Sequence, residues 1–321
     1  MAAEKKKMTF GVLLPTRGVI LQARDVPDLS PIFDLAQAAE DTGYDSVWVG
    51  DSILAKSRME ALTTMGALAA RTRRVRIGTA VLLAALRHPV VLAHALATLD
   101  VLSGGRIIPG IGVGRSEPLL EHESESCGVP FKTRATRLEE GLEIMKRLWT
   151  EERVDFAGKV FTLNNVHLLP RPVQKPRPPL WLASNLVDRG LKRVALQADG
   201  WITNVPSPDT YRQCWERIEG YAKAAGRDPG ALKKVLYLTV HVGADGRKAR
   251  EEGSQFLANY YHKAPGEMEK LLVTTMGSPE ECLKTIASYG ALGVTTFIVR
   301  FAAKDQMGQL ALWSRQVLPH A

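Results

Sequence analysis

Residues able to bind or react gather where apolar runs end in this 321-residue chain. The run over 106–111 empties into Gly112-Val113-Gly114-Arg115-Ser116. Glycines let backbone N–H groups close around an anion, and arginine adds charge-assisted donors. The same text also reads as a bulge or a tight packing point. It is not the dinucleotide fingerprint: Gly110, Gly112 and Gly114 alternate, lie mid-chain, and no helix pattern follows at once. A second run ends in Ala183-Ser184-Asn185, just before a helical pattern. An anion there would meet open N–H groups and the helix dipole; a Ser/Asn cap is the plainer reading.

Three side chains stand at other run ends. Asp51 follows the apolar stretch 45–49, where a carboxylate either bonds a ring or substrate or caps the next turn. His241 lies in VLYLTVHV, on one alternating face with Tyr237 and Thr239. It reads as an acid/base or ligand group, or as a satisfied core histidine. Arg300 closes TTFIVR and suits an anion, a carbonyl or a structural ion pair. Other chemistries lack a constellation. His88 and His94 are six apart, the wrong spacing for one-faced metal ligands, and His122 sits in EHESES, which reads as a solvated loop. There is no GxSxG, Walker A or HExxH, so no metal site is expected.

The elements that must position these residues alternate. Apolar, β-branched runs begin at Thr9, Asp45, Val75, Arg106, Leu180, Gly200, Val235 and Thr295, and each is followed by a helical pattern. The central unit is the clearest: a strand ending in Gly78-Thr79-Ala80-Val81, a helix opened by Pro89 and stopped at Ser103-Gly104-Gly105, then the glycine-rich run. Eight strand–helix repeats predict a (β/α)8 TIM barrel, with an open doubly wound sheet as the competing architecture. A barrel gathers its site at the C-terminal ends of its strands. Residues 1–8 read as a tail and 9–321 as one barrel domain. Residues 151–179 break the rhythm and read as an inserted hairpin plus a proline-rich connector after the fourth helix.

Composition narrows the partners. The chain is 45% hydrophobic and 24% charged, with a formal charge of +8, as expected of a globular protein with a sizeable core. No apolar run approaches the ~18 residues of a membrane helix, and the charged start lacks a secretory h-region. Arg71, Arg73, Arg74 and Arg76 carry no interleaved aromatics and read as a solvated turn, not a nucleic-acid surface. The positive balance favours an anionic small molecule by long-range attraction. Cys127, Cys214 and Cys282, odd in number and without CxxC, suit unpaired thiols in the cytoplasm.

Taken together, AAEDTGYDSVWVGDS, IGTAVLLAALRHPVVLAHALATLDVLSGGRIIPGIGVGR, GVPFKTRATRLEEGLEIMKRLWT, HLLPRPVQKPRPPLWLAS and ADGWIT resemble the bacterial-luciferase-like monooxygenases, the flavin- and deazaflavin-dependent barrels. The resemblance implies a cofactor ring at the barrel mouth and a non-proline cis bond behind it, by position Ala80 to Val81. It places the cofactor's phosphate contacts at Gly112, Gly114, Arg115 and Ser116 and at Ala183, Ser184 and Asn185, with Asp51, Thr79, Ala80 and Val81 beside the ring. Asp51, His241 and Arg300 are the expected polar groups of the reaction, with Arg300 or Arg17 orienting substrate. Deazaflavin members often carry Asp-His after the second strand; here Asp51-Ser52 keeps the acid and lacks the histidine. Asp51 and the positive charge point to coenzyme F420 and hydride transfer to or from a small organic substrate. FMN with monooxygenation is the alternative, and a flavin-binding barrel without turnover a third. A homodimer is implied by the resemblance.

Overall fold

The computed structural model describes residues 8–321, so the expected tail lies, apart from Met8, outside the described residues. Its strands are β1 (Thr9–Leu13), β2 (Ser46–Val49), β3 (Arg76–Thr79), β4 (Ile107–Ile108), β5 (Gly110–Ile111), β6 (Val154–Ala157), β7 (Thr162–Val166), β8 (Trp181–Ala183), β9 (Gly200–Thr203), β10 (Lys233–Val242), β11 (Thr274–Gly277) and β12 (Thr296–Phe301). Its helices are α1 (Gly18–Gln22), α2 (Ser30–Asp41), α3 (Ala61–Arg71), α4 (Pro89–Ser103), α5 (Pro118–Ser126), α6 (Arg134–Thr150), α7 (Asp188–Gln197), α8 (Pro208–Ala224), α9 (Gly246–Tyr261), α10 (Pro279–Gly290) and α11 (Gln306–Gln316).

The main sheet is parallel and curls into a ring. β1 lies between β2 and β12, β2 pairs with β3, β3 with β4, β5 with β8, β8 with β9, β9 with β10, and β10 with β12. Pro109 has no N–H for the ladder and splits one strand position into β4, on β3, and β5, on β8. A bridge from Leu82 to Ile111 spans the split. These are the eight strand positions of the expected (β/α)8 barrel. β6 and β7 form an antiparallel hairpin in a sheet of their own. Glu140 of α6 fastens it by accepting from the backbone N–H groups of Lys159, Val160 and Phe161.

Alternation along the strands sorts the core into two layers. Leu13, Trp48, Ile108, Trp181, Ile202, Val235 and Ile298 fill the barrel interior, while Val12, Val47, Ile77, Ile107 and Leu236 face the helices. Trp48 stacks on Trp181 with ring centres 5.4 Å apart. The large indole fits because its neighbours on both sides are glycines. A Cβ on Gly11 would fall 2.3 Å from Trp48 Nε1, and one on Gly78 would fall 2.2 Å from its Cζ3.

Two segments depart from the sequence expectation. The EHESES stretch is helix α5, with Glu123 and Ser124 buried instead of solvated. Between α9, the helix expected after β10, and α10 the chain inserts a ninth strand, β11, which pairs only with the last four residues of β10. The N–H of Val273, just before β11, donates to the Asn204 carbonyl beyond β9 at 2.9 Å. The excursion therefore sits at the C-terminal end of the barrel. The arginine-rich turn lies where the chain enters β3, far along the strand from that end. Glu40 organises it by accepting from the N–H groups of Arg73, Arg74 and Val75.

One half-buried cation makes stability depend on pH. Lys146 of α6 donates to the Gln197 carbonyl at the end of α7. Burial, with help from nearby Arg177, brings its pKa from the usual 10.5 down to about 8, against an opposing pull from Asp199. Below pH 8 the amine is charged in both states and the full cost of burying it is present. Between pH 8 and 10.5 the unfolded chain holds the proton that the folded chain has released, so stability rises with pH. Lys146→Met is expected to be more stable at neutral pH and to lack that rise, as read by urea denaturation across the window.

Candidate active site

The third, fourth and fifth strand tips meet on one side of the mouth. A Cβ on Gly112 would lie 2.6 Å from Val81 Cγ2 and 3.8 Å from Ala183 Cβ, so these tips touch because residue 112 has no side chain. Thr79, fully buried, locks β3 to β5: its hydroxyl donates to the Gly110 carbonyl at 2.8 Å and accepts from the Gly110 N–H at 3.0 Å. The Ala80–Val81 peptide is cis, at the position the resemblance implies. Ala80, Val81, Ala183 and Tyr237 pack on the interior tryptophan layer yet stay partly open. Together they form a partly open apolar floor at the tips of β3, β8 and β10, the recess of the mouth.

Groups with hydrogen-bond donors suited to an anion flank the recess. Gly114 adopts φ 80°, a left-handed turn natural to glycine, and Arg115 and Ser116 follow it exposed. Beside Gly114 a small cavity of about 20 Å³ opens toward Leu83, Glu123 and Arg134. Arg134 Nε and Glu123 Oε2 are buried there without a hydrogen-bond partner. On the other flank, helix α7 starts at Asp188, three residues beyond Asn185, and Val187 offers its first turn no side-chain cap. Ser184 is half-buried and its hydroxyl donates to the Asn185 carbonyl at 3.2 Å. Asn185 is tied to β9 by Thr203 and Asn204, at 2.9 Å each. Glycine cradle, arginine and uncapped helix start form a donor set that fits a phosphate.

Asp51 is engaged elsewhere than in the recess. Its carboxylate takes a two-point ion pair from Arg87, at 2.6 and 3.0 Å, and the Leu83 N–H at 2.9 Å. It thus ties the β2 exit to the loop after β3 and presents no free oxygen for proton transfer. Ser52 is also structural: with the N–H groups of Ile53, Leu54 and Ala55 it donates to Glu123 Oε1. That carboxylate folds the β2–α3 loop into a nest that carries Lys56 and Arg58 to the mouth. His241 sits under α9 instead of in the recess, with Nδ1 2.9 Å from the Ala302 carbonyl and Nε2 3.2 Å from Glu252.

Arg300 does face the mouth. It is 6% exposed, and its Nη1 donates to the Tyr261 hydroxyl at 2.6 Å. The rings of Tyr237, Tyr260 and Tyr261 lie 5.4 to 5.8 Å from its guanidinium carbon. Arg17, from the β1 exit, covers the Tyr260 ring at 4.4 Å. Lys56 stands 5.8 Å from the Tyr261 ring. One end of α9 therefore reaches the exits of β12, β1 and β2 and roofs the mouth. Burial opposes ionisation of the Tyr261 phenol, but Arg300, Lys56 and Arg115 outweigh it and hold its pKa below the usual tyrosine value. Sequence reading missed Arg87, Glu123 and the tyrosines. The adjacent Tyr260-Tyr261 at a helix end was the one available signal.

With this geometry in view, the chain can be placed among known proteins. The sequence pattern of the family described as luciferase-like monooxygenase matches residues 8–296. The chain is 31% identical over 317 residues to the F420-dependent glucose-6-phosphate dehydrogenase of Kineococcus radiotolerans, covering 89% of this chain and 91% of that one. Among solved structures, monooxygenase RslO1 from Streptomyces bottropensis superposes with a TM-score of 0.82 at 25% identity, over 98% of this chain and 99% of that one. The coenzyme F420-dependent tetrahydromethanopterin reductase of Methanopyrus kandleri shares the fold, with a TM-score of 0.80 at 20% identity over 98% and 99% of the two chains. The chain belongs to the luciferase-like monooxygenase family.

Proposed function

We propose that this chain is an oxidoreductase that works with coenzyme F420 and passes a hydride to or from a small organic substrate. The observation that carries the reading is the convergence of three strand tips on an apolar recess beside a glycine–arginine cradle. Ala80, Val81, Ala183 and Tyr237 would hold the flat ring. Residues 112–116 and 183–185 would hold its phosphate. When bound, F420 supplies two-electron hydride chemistry. The chain's own part is to seat the ring on the Trp48–Trp181 floor, to keep water out with α9, and to orient substrate with Arg300 and Arg17. Asp51, Thr79 and His241 position these groups through their hydrogen bonds. A relative named for F420 dependence and a mouth bearing Lys56, Arg58 and Arg115 favour the deazaflavin, whose tail carries several carboxylates. The likeness to a monooxygenase favours a second reading, FMN-dependent oxygenation.

Arg115→Ala is expected to weaken F420 binding ~10- to 100-fold and Ser184→Ala by a smaller factor, given the worth of charged and neutral hydrogen bonds. Fluorescence titration reads both, and unchanged affinity in the two variants would place the phosphate elsewhere. The working unit is a homodimer: α4 leaves Val91 and Leu102 67% and 62% exposed, apolar side chains that a second copy would cover. Sedimentation reads the mass, and a monomer at micromolar concentration contradicts the pairing. Three unpaired cysteines suit a cytoplasmic setting. Among the described residues no helix is long and apolar enough to cross a membrane.

A further inference from the structure

We propose that the substrate carries an oxyanion, a carboxylate or a phosphate ester, and that Arg300, Arg17 and Tyr261 bind it beneath α9. Naming the ligand as substrate rests on the F420 reading above; the anion site itself does not.

The site is built from buried donors that the protein leaves unused. Arg300 Nε and Nη2, Arg17 Nε and the Thr239 hydroxyl are buried without a hydrogen-bond partner. Their side chains are nine-tenths or more buried: Arg300 is 6%, Arg17 8% and Thr239 0% exposed. Thr239 and Arg300 are register partners on β10 and β12, so the hydroxyl and the guanidinium leave the sheet side by side. Arg17 and Arg300 lean on the same ring, Tyr260, at 4.4 and 5.6 Å. Among the described residues neither guanidinium forms a salt bridge with a carboxylate, whereas Arg87 and Arg177 elsewhere do. Tyr261 accepts from Arg300, which leaves its own O–H free to donate.

Burying a guanidinium without a counter-anion is costly, and each unpaired donor adds to the cost. An oxyanion removes both costs at once, since a planar fork matches a carboxylate or phosphate face. Lys56 and Arg58, brought to the mouth by the Glu123-held loop, add attraction along the approach. The glycine cradle at residues 112–116 follows β5, whereas Arg17 and Arg300 belong to the exits of β1 and β12; on this proposal the two sites are filled together.

The test titrates the full chain with inorganic phosphate and, separately, with acetate, against chloride at matched ionic strength. The thermal midpoint is read, with and without saturating F420. The wild-type midpoint is expected to rise saturably with at least one oxyanion, and still to do so with F420 bound. Arg300→Gln and Arg17→Gln should each weaken that response ~10-fold or more, while the affinity for F420 changes less than about threefold. Arg17 lies on a loop beyond β1, so its variant keeps the test alive where Arg300→Gln fails to fold. Equal responses in wild type and both variants, no response to either anion, or mutual exclusion of oxyanion and F420 would each overturn the proposal. A chain that binds oxyanion through Arg300 but not F420 keeps the site and loses the cofactor reading.

Discussion

Arg87→Met is expected to lower the unfolding free energy by about 3 kcal/mol, within the range for breaking a buried ion pair. The cost is large because the partner cannot follow the loss. Asp51's side chain is 1% exposed, and without Arg87 only the Leu83 N–H would face its charge. The converse change should be milder: in Asp51→Asn, Arg87 keeps Glu60 at 2.9 Å and some contact with water. Urea denaturation with an unchanged m-value reads both. Equal losses would mean that the pair does not clamp the loop after β3. The functional consequence follows from the same geometry, because that loop carries Val81 and Leu83 beside the recess.

Gly112→Val should nearly abolish cofactor binding, by ~100-fold or more, while costing only the 1–3 kcal/mol typical of overpacking. A Cβ there already lies 2.6 Å from Val81 Cγ2, and valine's stiff branches cannot turn away from both Val81 and Ala183. The tips must then part, which widens the recess and pulls the cradle out of line. Gly110→Ala is the informative contrast. Its Cβ would strike the Thr79 backbone carbonyl at 2.0 Å, so it should lose stability first and binding only as a result. Retained F420 affinity in Gly112→Val would show that the three tips need not touch.

The sequence carried the barrel because its signal is periodic. The runs at Thr9, Asp45, Val75 and Val235 are buried strands, and Pro89 and Gly104 bound α4 as their chemistry requires, Gly104 at φ 65°. β11 escaped notice because TTMG is four residues long and pairs only at one rim. The helix over EHESES escaped because, beyond Leu120, its buried face rests on two polar residues, Glu123 and Ser124, which no hydrophobic pattern marks. Strand-exit position located Asp51, His241 and Arg300 near the mouth but said nothing of their partners. Asp51 meets Arg87 from 36 residues away, and His241 meets Ala302 from 61 away. Such pairings exist only after folding, so alternation alone could not separate Arg300, whose donors stay open, from His241, whose nitrogens are taken.

The central claim is that the recess between the β3, β5 and β8 tips seats a deazaflavin. Equilibrium titration of the purified chain with coenzyme F420, and in parallel with FMN, tests it most directly through the change in each cofactor's absorbance and fluorescence. The account predicts saturable one-to-one binding of F420, weakened in Arg115→Ala, with FMN binding at least tenfold more weakly. Tight FMN binding with no response to F420 would contradict it.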